Sequence, residues 1–159
     1  MVYTQKSREK YGSHSAAISK AQSSVNSLNS TFGRSSINHR VRLVQAREVS
    51  RVASGSLGTE LGWVAGNSTV AGYRTSAGAD LVAFISDRDD SKVYGMAQMP
   101  GSPSGNSSAA YSANYYSTVS GVWPHEAGHN FGCNHNSAGV YSYSSGHYWK
   151  DGATTRGTI

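Results

Sequence analysis

The chain has 159 residues, of which 37% are hydrophobic and 14% charged, a size that fits one domain with a core of its own. Its formal net charge is +5, but the Lys and Arg residues are scattered along the chain, which argues against a nucleic-acid-binding protein. No apolar run is long enough to span a bilayer, and the single cysteine, Cys133, excludes a disulfide within the chain.

The amino-terminal part of the chain predicts a strand end, a long helix and a second strand. The first six residues lack the apolar stretch of a signal peptide and resemble the tail of a strand. Over residues 13–32, apolar side chains recur every three or four positions, which predicts an amphipathic helix that Gly33 ends. Residues 41–49 predict a half-buried strand, whereas residues 55–72 support no assignment.

The carboxyl-terminal part predicts three more strands. The apolar run at residues 81–85 is typical of a strand that is buried on both faces. Residues 93–99 predict a strand that Pro100 stops, and residues 115–119 predict another. Alternating strands and helices with one buried run indicate an α/β protein with a partly parallel sheet.

Three histidines and a glutamate near the carboxyl end have a characteristic spacing. His125 and His129, four residues apart on a helix, lie on the same face and can reach one metal ion. Glu126 lies beside them in the sequence, and in sites of this kind such a glutamate reaches the metal-bound water rather than the metal. Gly132 can adopt the left-handed conformation that ends the helix and brings His135 back as a third ligand. Three protein ligands leave the fourth position open for water, as in catalytic zinc sites.

Two residues next to these histidines bear on the prediction. Pro124 is tolerated only in the first turn of a helix, so this helix is expected to begin near residues 121–123. Cys133 has three interpretations: a disulfide to a cysteine outside these residues, a buried thiol, or a zinc ligand. The first two are favoured, because the three histidines already satisfy the site.

Two further groups of polar residues keep two interpretations each. His147 is either a surface histidine or a group near the substrate. Asp87, Asp89 and Asp90 form either a solvated turn or a set of oxygen ligands for calcium. The surface interpretation is favoured for both groups, because surface histidines and solvated acidic turns are the commoner cases.

The pattern H-E-x-x-H-x-x-G-x-x-H, which runs from His125 to His135, resembles the zinc signature of the metzincins. Its surroundings resemble the reprolysin-like (adamalysin-type) group of that family, especially the bacterial members. A looser similarity extends over nearly the whole chain. Val2–Thr4 resembles the end of the family's first strand, and residues 78–82 resemble the approach to its central strand.

The resemblance implies an α/β metzincin-type catalytic domain over residues 1–159, with a twisted mixed sheet packed with helices and the zinc helix at the base of the cleft. It implies a secreted zinc-dependent endopeptidase in which the three histidines hold one catalytic Zn²⁺ and Glu126 is the general base. The substrate would be a protein or peptide, bound antiparallel to an edge strand that includes Gly95, Met96 and Ala97. Nucleic-acid and membrane partners are not expected, and the oligomeric state is open.

Two features depart from the metzincin pattern. Metzincins have a methionine turn after the third histidine, whereas Met1, Met96 and Met99 all precede His135. The chain is therefore expected to be a fragment in which the first strand and the methionine turn are incomplete. Asn136 follows the third histidine, where adamalysin-type enzymes usually have Asp. Two alternatives follow: a domain that binds zinc without being a complete enzyme, and a binding module in which the motif is incidental.

Overall fold

The computed structural model describes residues 1–88, 93–135 and 141–157, and a five-stranded sheet lies at its centre. The strands of this sheet are β1 (Val2–Thr4), β2 (Arg47–Val49), β3 (Val82–Ser86), β4 (Gly95–Ala97) and β5 (Tyr111–Tyr115). They lie in the order β2-β1-β3-β5-β4. All neighbours are parallel except β4, which pairs antiparallel with β5 at one edge. The predicted α/β architecture with a mixed, partly parallel sheet is confirmed.

The described residues also form five α-helices, a short 3₁₀ helix and a second, two-stranded sheet. The α-helices are α1 (Gln5–Tyr11), α2 (His14–Arg34), α3 (Leu57–Gly66), α4 (Ser68–Ala77) and α5 (Val119–Asn130). The 3₁₀ helix spans Ser107–Ala109, and the second sheet pairs β6 (Tyr148–Asp151) antiparallel with β7 (Thr154–Gly157). None of the described helices is both long and apolar enough to cross a membrane.

Strand β3 is buried along its whole length, as its apolar run predicts. Its side chains alternate between two cores because successive residues of a strand point to opposite faces. Phe84 packs against Trp63 of α3, with ring centroids 5.3 Å apart. Ile85 belongs to the core on the opposite face, together with Trp123 of α5. The sheet therefore separates α3 from α5, and α5 is fixed against the same face as α2.

The long amphipathic helix predicted over residues 13–32 is confirmed as α2. Ser13 caps its start, where the Ser13 hydroxyl accepts a hydrogen bond of 3.0 Å from the backbone N–H of Ala16. The predicted end at Gly33 is wrong, because the helix continues to Arg34. The left-handed residue after the helix is Ser36, with φ of 56°, so a serine takes the conformation expected of the glycine.

Three predicted strands differ from the structure, and the one predicted at residues 93–99 is reduced to the three residues of β4. The strand predicted at residues 41–49 is reduced to the three residues of β2. The backbone of Val41 instead forms hydrogen bonds with the side chain of Asn29 on α2. This side chain donates to the Val41 carbonyl at 2.7 Å and accepts from the Val41 N–H at 2.8 Å. The strand predicted at residues 115–119 is also wrong, because β5 ends at Tyr115 and Val119 is the first residue of α5.

Residues 55–72, for which the sequence supports no assignment, form α3 and the first half of α4. Two polar residues start these helices. The Ser56 hydroxyl accepts from the Thr59 N–H at 3.3 Å, and the Asn67 side-chain oxygen accepts from the Val70 N–H at 3.0 Å. The Gly and Thr residues of this stretch are therefore held helical by caps and by packing rather than by intrinsic propensity.

Candidate metal centre

Helix α5 carries two of the three histidines and the glutamate. It begins at Val119, so Pro124 is its sixth residue and the start expected near residues 121–123 is wrong. A proline at this position has no N–H to offer the carbonyl of Ser120, four residues earlier. The helix nevertheless starts early because Val119 and Trp123 are buried in the core shared with α2. Tertiary packing outweighs the local preference here.

The end of α5 follows the prediction. Gly132 adopts the left-handed conformation with φ of 94°. Its N–H donates to the carbonyl of His129 at 2.9 Å, and the N–H of Cys133 donates to the carbonyl of Gly128 at 2.9 Å. These two bonds form a Schellman motif, which reverses the chain and returns His135 toward the helix.

The structure brings the three histidines together. Their candidate ligand atoms all lie within 4.8 Å of one another, and the Nε2 atoms of His125 and His135 are 2.9 Å apart. The Nδ1 of His129 donates to the carbonyl of Cys133 at 2.8 Å, which leaves its Nε2 as the metal-facing atom. In a tetrahedral zinc site the ligand atoms would be about 3.4 Å apart, so this donor set fits a zinc ion after small ring movements.

Burial lowers the pKa of His125 and raises that of Glu126. The pKa of His125 is lowered to about 4, mainly by burial and further by repulsion from His129 and His135. Neutral rings present the lone pairs that a metal requires. Burial raises the pKa of Glu126 to about 7, and the residue is only 4% exposed. A carboxylate with this pKa is well suited to accept and return a proton near neutral pH.

The third histidine is held by a segment that the sequence analysis did not single out. The N–H of Asn134 donates to the carbonyl of Ser144 at 2.7 Å, and the N–H of Gly146 donates to the carbonyl of Asn134 at 2.8 Å. The N–H of His135 donates to the side-chain oxygen of Asn134 at 2.8 Å. Residues 144–146 therefore support the backbone next to His135, although they lie about ten residues further along the chain.

The predicted edge strand lies directly beside Glu126. Gly95, Met96 and Ala97 form β4, which pairs with β5 on one side and is the last strand of the sheet. A Cβ atom on Gly95 would collide with the Glu126 carboxylate and would lie 2.5 Å from the Cγ1 of Val122. A glycine is therefore favoured at this position, for a steric reason that the sequence does not show.

Two cavities border His125. A cavity of about 380 Å³ is lined by Tyr94 and Gly95 on the sheet edge and by Val122 and Glu126 on α5. A larger apolar cavity of about 1320 Å³ lies on the other side of α5, under residues 37–45. Of these two cavities, the smaller is the one that a reacting group would use, because Glu126 lines it and does not line the larger one.

The remaining predicted residues lie outside the histidine cluster. The thiol of Cys133 is half-buried and its pKa is raised by burial, and it is not a member of the cluster found among the described residues. His147 stacks on Trp149 with ring centroids 6.0 Å apart. Asp87 accepts a hydrogen bond of 2.9 Å from the Thr4 hydroxyl. Three other positions fall outside the described residues: Asp89, Asp90 and Asn136.

Comparison with known proteins links this site to a peptidase family. The family Reprolysin_5, described as metallo-peptidase family M12, matches residues 1–156. No curated protein sequence matches. A solved structure described as a chaperone-substrate complex has a TM-score of 0.73 and 22% identity, with 91% of this chain and 27% of that chain covered. This likeness concerns the fold.

A second solved structure is the crystal structure of metalloproteinase-II from Bacteroides fragilis. It has a TM-score of 0.47 and 19% identity, and the alignment covers 91% of this chain and 46% of that chain. The chain thus spans less than half the length of either of these structures. The family match covers nearly all of the sequence and includes the three histidines and Glu126. The chain belongs to metallo-peptidase family M12.

Proposed function

We propose that this chain is the catalytic domain of a zinc-dependent endopeptidase, in which His125, His129 and His135 hold one Zn²⁺ and Glu126 is the general base. Membership of a peptidase family implies protein or peptide substrates. The observation that carries the proposal is the position of Glu126. It follows His125 directly on α5, is buried, and lines the small cavity beneath the sheet edge.

Each residue of the site has a distinct part in the proposed hydrolysis. A zinc ion held there would lower the pKa of a water molecule and polarise the scissile carbonyl. Glu126 removes a proton from the attacking water and passes it to the leaving amine. The backbone of Gly95, Met96 and Ala97 offers hydrogen bonds to an extended peptide, because β4 has a strand on one side only among the described residues.

Metal content and hydrolysis test this proposal together. The purified protein is expected to hold about one equivalent of zinc and to cleave a quenched casein substrate, with cleavage abolished by a chelator or a hydroxamate. Zinc without cleavage would instead identify a domain that binds metal but is not a complete enzyme. Absence of tightly bound zinc would contradict both and favour a binding module.

The substitution Glu126→Gln tests the general base independently of zinc binding by the three histidines. This substitution is expected to keep one equivalent of zinc and to lower kcat by about 10²–10⁴-fold, because it removes the proton acceptor and keeps the shape of the side chain. Glu9→Gln is the matched control, since Glu9 is exposed on α1, where its carboxylate accepts from Gln5 at 2.8 Å and lies 3.9 Å from the Arg8 guanidinium. Equal activity of the two variants would refute the assignment of Glu126.

A further inference from the structure

The side-chain amide of Asn130, the last residue of α5, reaches three backbone carbonyls. Its Nδ2 lies 2.8 Å from the carbonyl oxygen of Gln98, 3.0 Å from that of Ala109 and 3.1 Å from that of Tyr111. Gln98 follows the edge strand directly, and Tyr111 is the first residue of β5. One side chain therefore ties the end of α5 to both strands at the edge of the sheet.

Hydrogen-bond donation explains this asparagine better than packing does. The Nδ2 group donates into a cluster of acceptors, while the Oδ1 atom of Asn130 is buried and has no hydrogen-bond partner among the described residues. An unpartnered buried oxygen is unfavourable, so an apolar residue would serve better if the position needed only to be filled. The donor half of the amide is the part that the structure uses.

Asn130 and Glu126 contact the same edge of the sheet at two points. They are four residues apart on α5 and so lie on one face, about 6 Å apart along the helix axis. Glu126 lies against Gly95, and Asn130 holds Gln98, three residues further along the strand direction. These two contacts add to the packing of α5 against α2 and set how α5 lies along the sheet edge.

We propose that Asn130 is a positioning residue: it holds α5 in register with β4, so that a peptide paired to β4 presents its scissile bond to Glu126. The proposal rests on the proposed peptidase function and adds a residue to it. A displacement of the reacting groups of about 1 Å can lower a rate by about 10²-fold. Loss of the register should therefore reduce kcat more than it changes KM, because the substrate still pairs with β4.

Asn130→Asp tests donation directly, because it keeps the shape and replaces the donor by an oxygen. Asn29→Ala is the matched control, since Asn29 also uses its side chain to hold a backbone segment, at Val41, but lies far along the chain from the site. We expect Asn130→Asp to keep its zinc and to lose at least about tenfold in kcat with KM within about threefold. Asn29→Ala should keep kcat and KM within about twofold of the wild-type values.

Equal kcat for Asn130→Asp and Asn29→Ala would overturn the proposal. If Asn130→Asp does not fold, Asn130→Ala is compared with Asn29→Ala in the same way.

Hydrogen exchange tests the same contact without catalysis. The Gln98 N–H donates to the carbonyl of Tyr111 at 3.0 Å, one of the groups that Asn130 also contacts. In the folded wild-type protein, the side-chain amide of Asn130 should exchange more slowly by NMR than that of Asn26, which lies exposed on α2. The Gln98 amide should exchange faster in Asn130→Ala and unchanged in Asn29→Ala. If the side-chain amides of Asn130 and Asn26 exchange at similar rates, Asn130 does not hold α5 in register with β4. If the Asn130 amide is protected but the protein hydrolyses no substrate, only the proposed peptidase function is refuted.

Discussion

The protein buries two glutamates on opposite sides of its sheet, and their surroundings differ. Glu60 on α3 is fully buried and accepts two hydrogen bonds of 3.0 Å from Arg51 and one of 2.9 Å from the N–H of Ser54. Glu126 on α5 is almost as deeply buried, but no ion pair among the described residues involves it, and it borders a cavity. A buried carboxylate whose charge and hydrogen bonds are satisfied is part of the fold, and loss of its cationic partner is destabilising. A buried carboxylate that lacks a cationic partner has a raised pKa and can accept and release a proton near neutral pH.

The largest effect is expected at the paired glutamate. Arg51→Ala leaves the charge of Glu60 buried without its partner, which should lower the free energy of unfolding by about 3–5 kcal/mol. It also removes the guanidinium that lies over the Trp63 ring, 5.1 Å from its centroid. Urea denaturation measures the loss, and Arg40→Ala is the control because Arg40 is exposed and bonds only to nearby carbonyls.

The rate of hydrolysis by the folded fraction of Arg51→Ala should show that Glu60, unlike Glu126, has no part in catalysis. Arg51→Ala is expected to keep kcat within about twofold, since Glu60 and Glu126 lie on opposite faces of the sheet. A large loss of kcat at full folding would show that the two carboxylates are coupled. A loss of stability no greater than that of the Arg40 control would show that the pair contributes nothing to the fold.

A smaller effect is expected from the pH dependence of the metal-free protein. The pKa of Glu126 is raised from 4.5 to about 7 in the folded state by burial, so the folded state binds the proton more tightly than the unfolded chain. Its contribution to stability is complete below pH 4.5 and is lost as the pH rises through 7. The loss is at most about 3 kcal/mol.

Glu126→Gln provides the comparison for this prediction, because glutamine has no proton to lose. In chelator-treated protein, the free energy of unfolding of the wild type should fall relative to that of Glu126→Gln between pH 4.5 and 8. Titration of the histidines contributes to both proteins and largely cancels in the difference. If the difference in the free energy of unfolding between the two proteins stays constant over this range, the prediction is wrong, because burial then does not raise the pKa of Glu126.

The smallest effect is expected at the contact between Glu126 and the sheet edge. Gly95→Ala places a methyl group against the Glu126 carboxylate and Val122, which should cost about 1–3 kcal/mol in stability and lower kcat/KM. Gly72→Ala on α4 is the control, because nothing lies within 4 Å of its added Cβ atom. That control should gain up to about 1 kcal/mol in stability. Unchanged kcat/KM in Gly95→Ala would mean that Glu126 tolerates displacement.

Prediction from the sequence succeeded where the signal was local. The left-handed Gly132 and the buried strand β3 follow from short stretches of chain, and both are confirmed. It failed where packing decided the outcome. Strand β5 has serine, alanine and asparagine at its centre, which are small or polar residues, and it is a strand because it fits between β3 and β4. Val119 has high strand propensity and is helical because it is buried against α2.

The same division applies to the candidate site. The sequence by itself predicted the proposed ligand set and base, because the spacing of His125, Glu126 and His129 along one helix depends only on local backbone geometry. Only the tertiary structure decided the burial that raises the pKa of Glu126, the preference for glycine at residue 95 and the three contacts of Asn130. These features join residues 19 to 32 positions apart, and no local pattern encodes which distant segments meet.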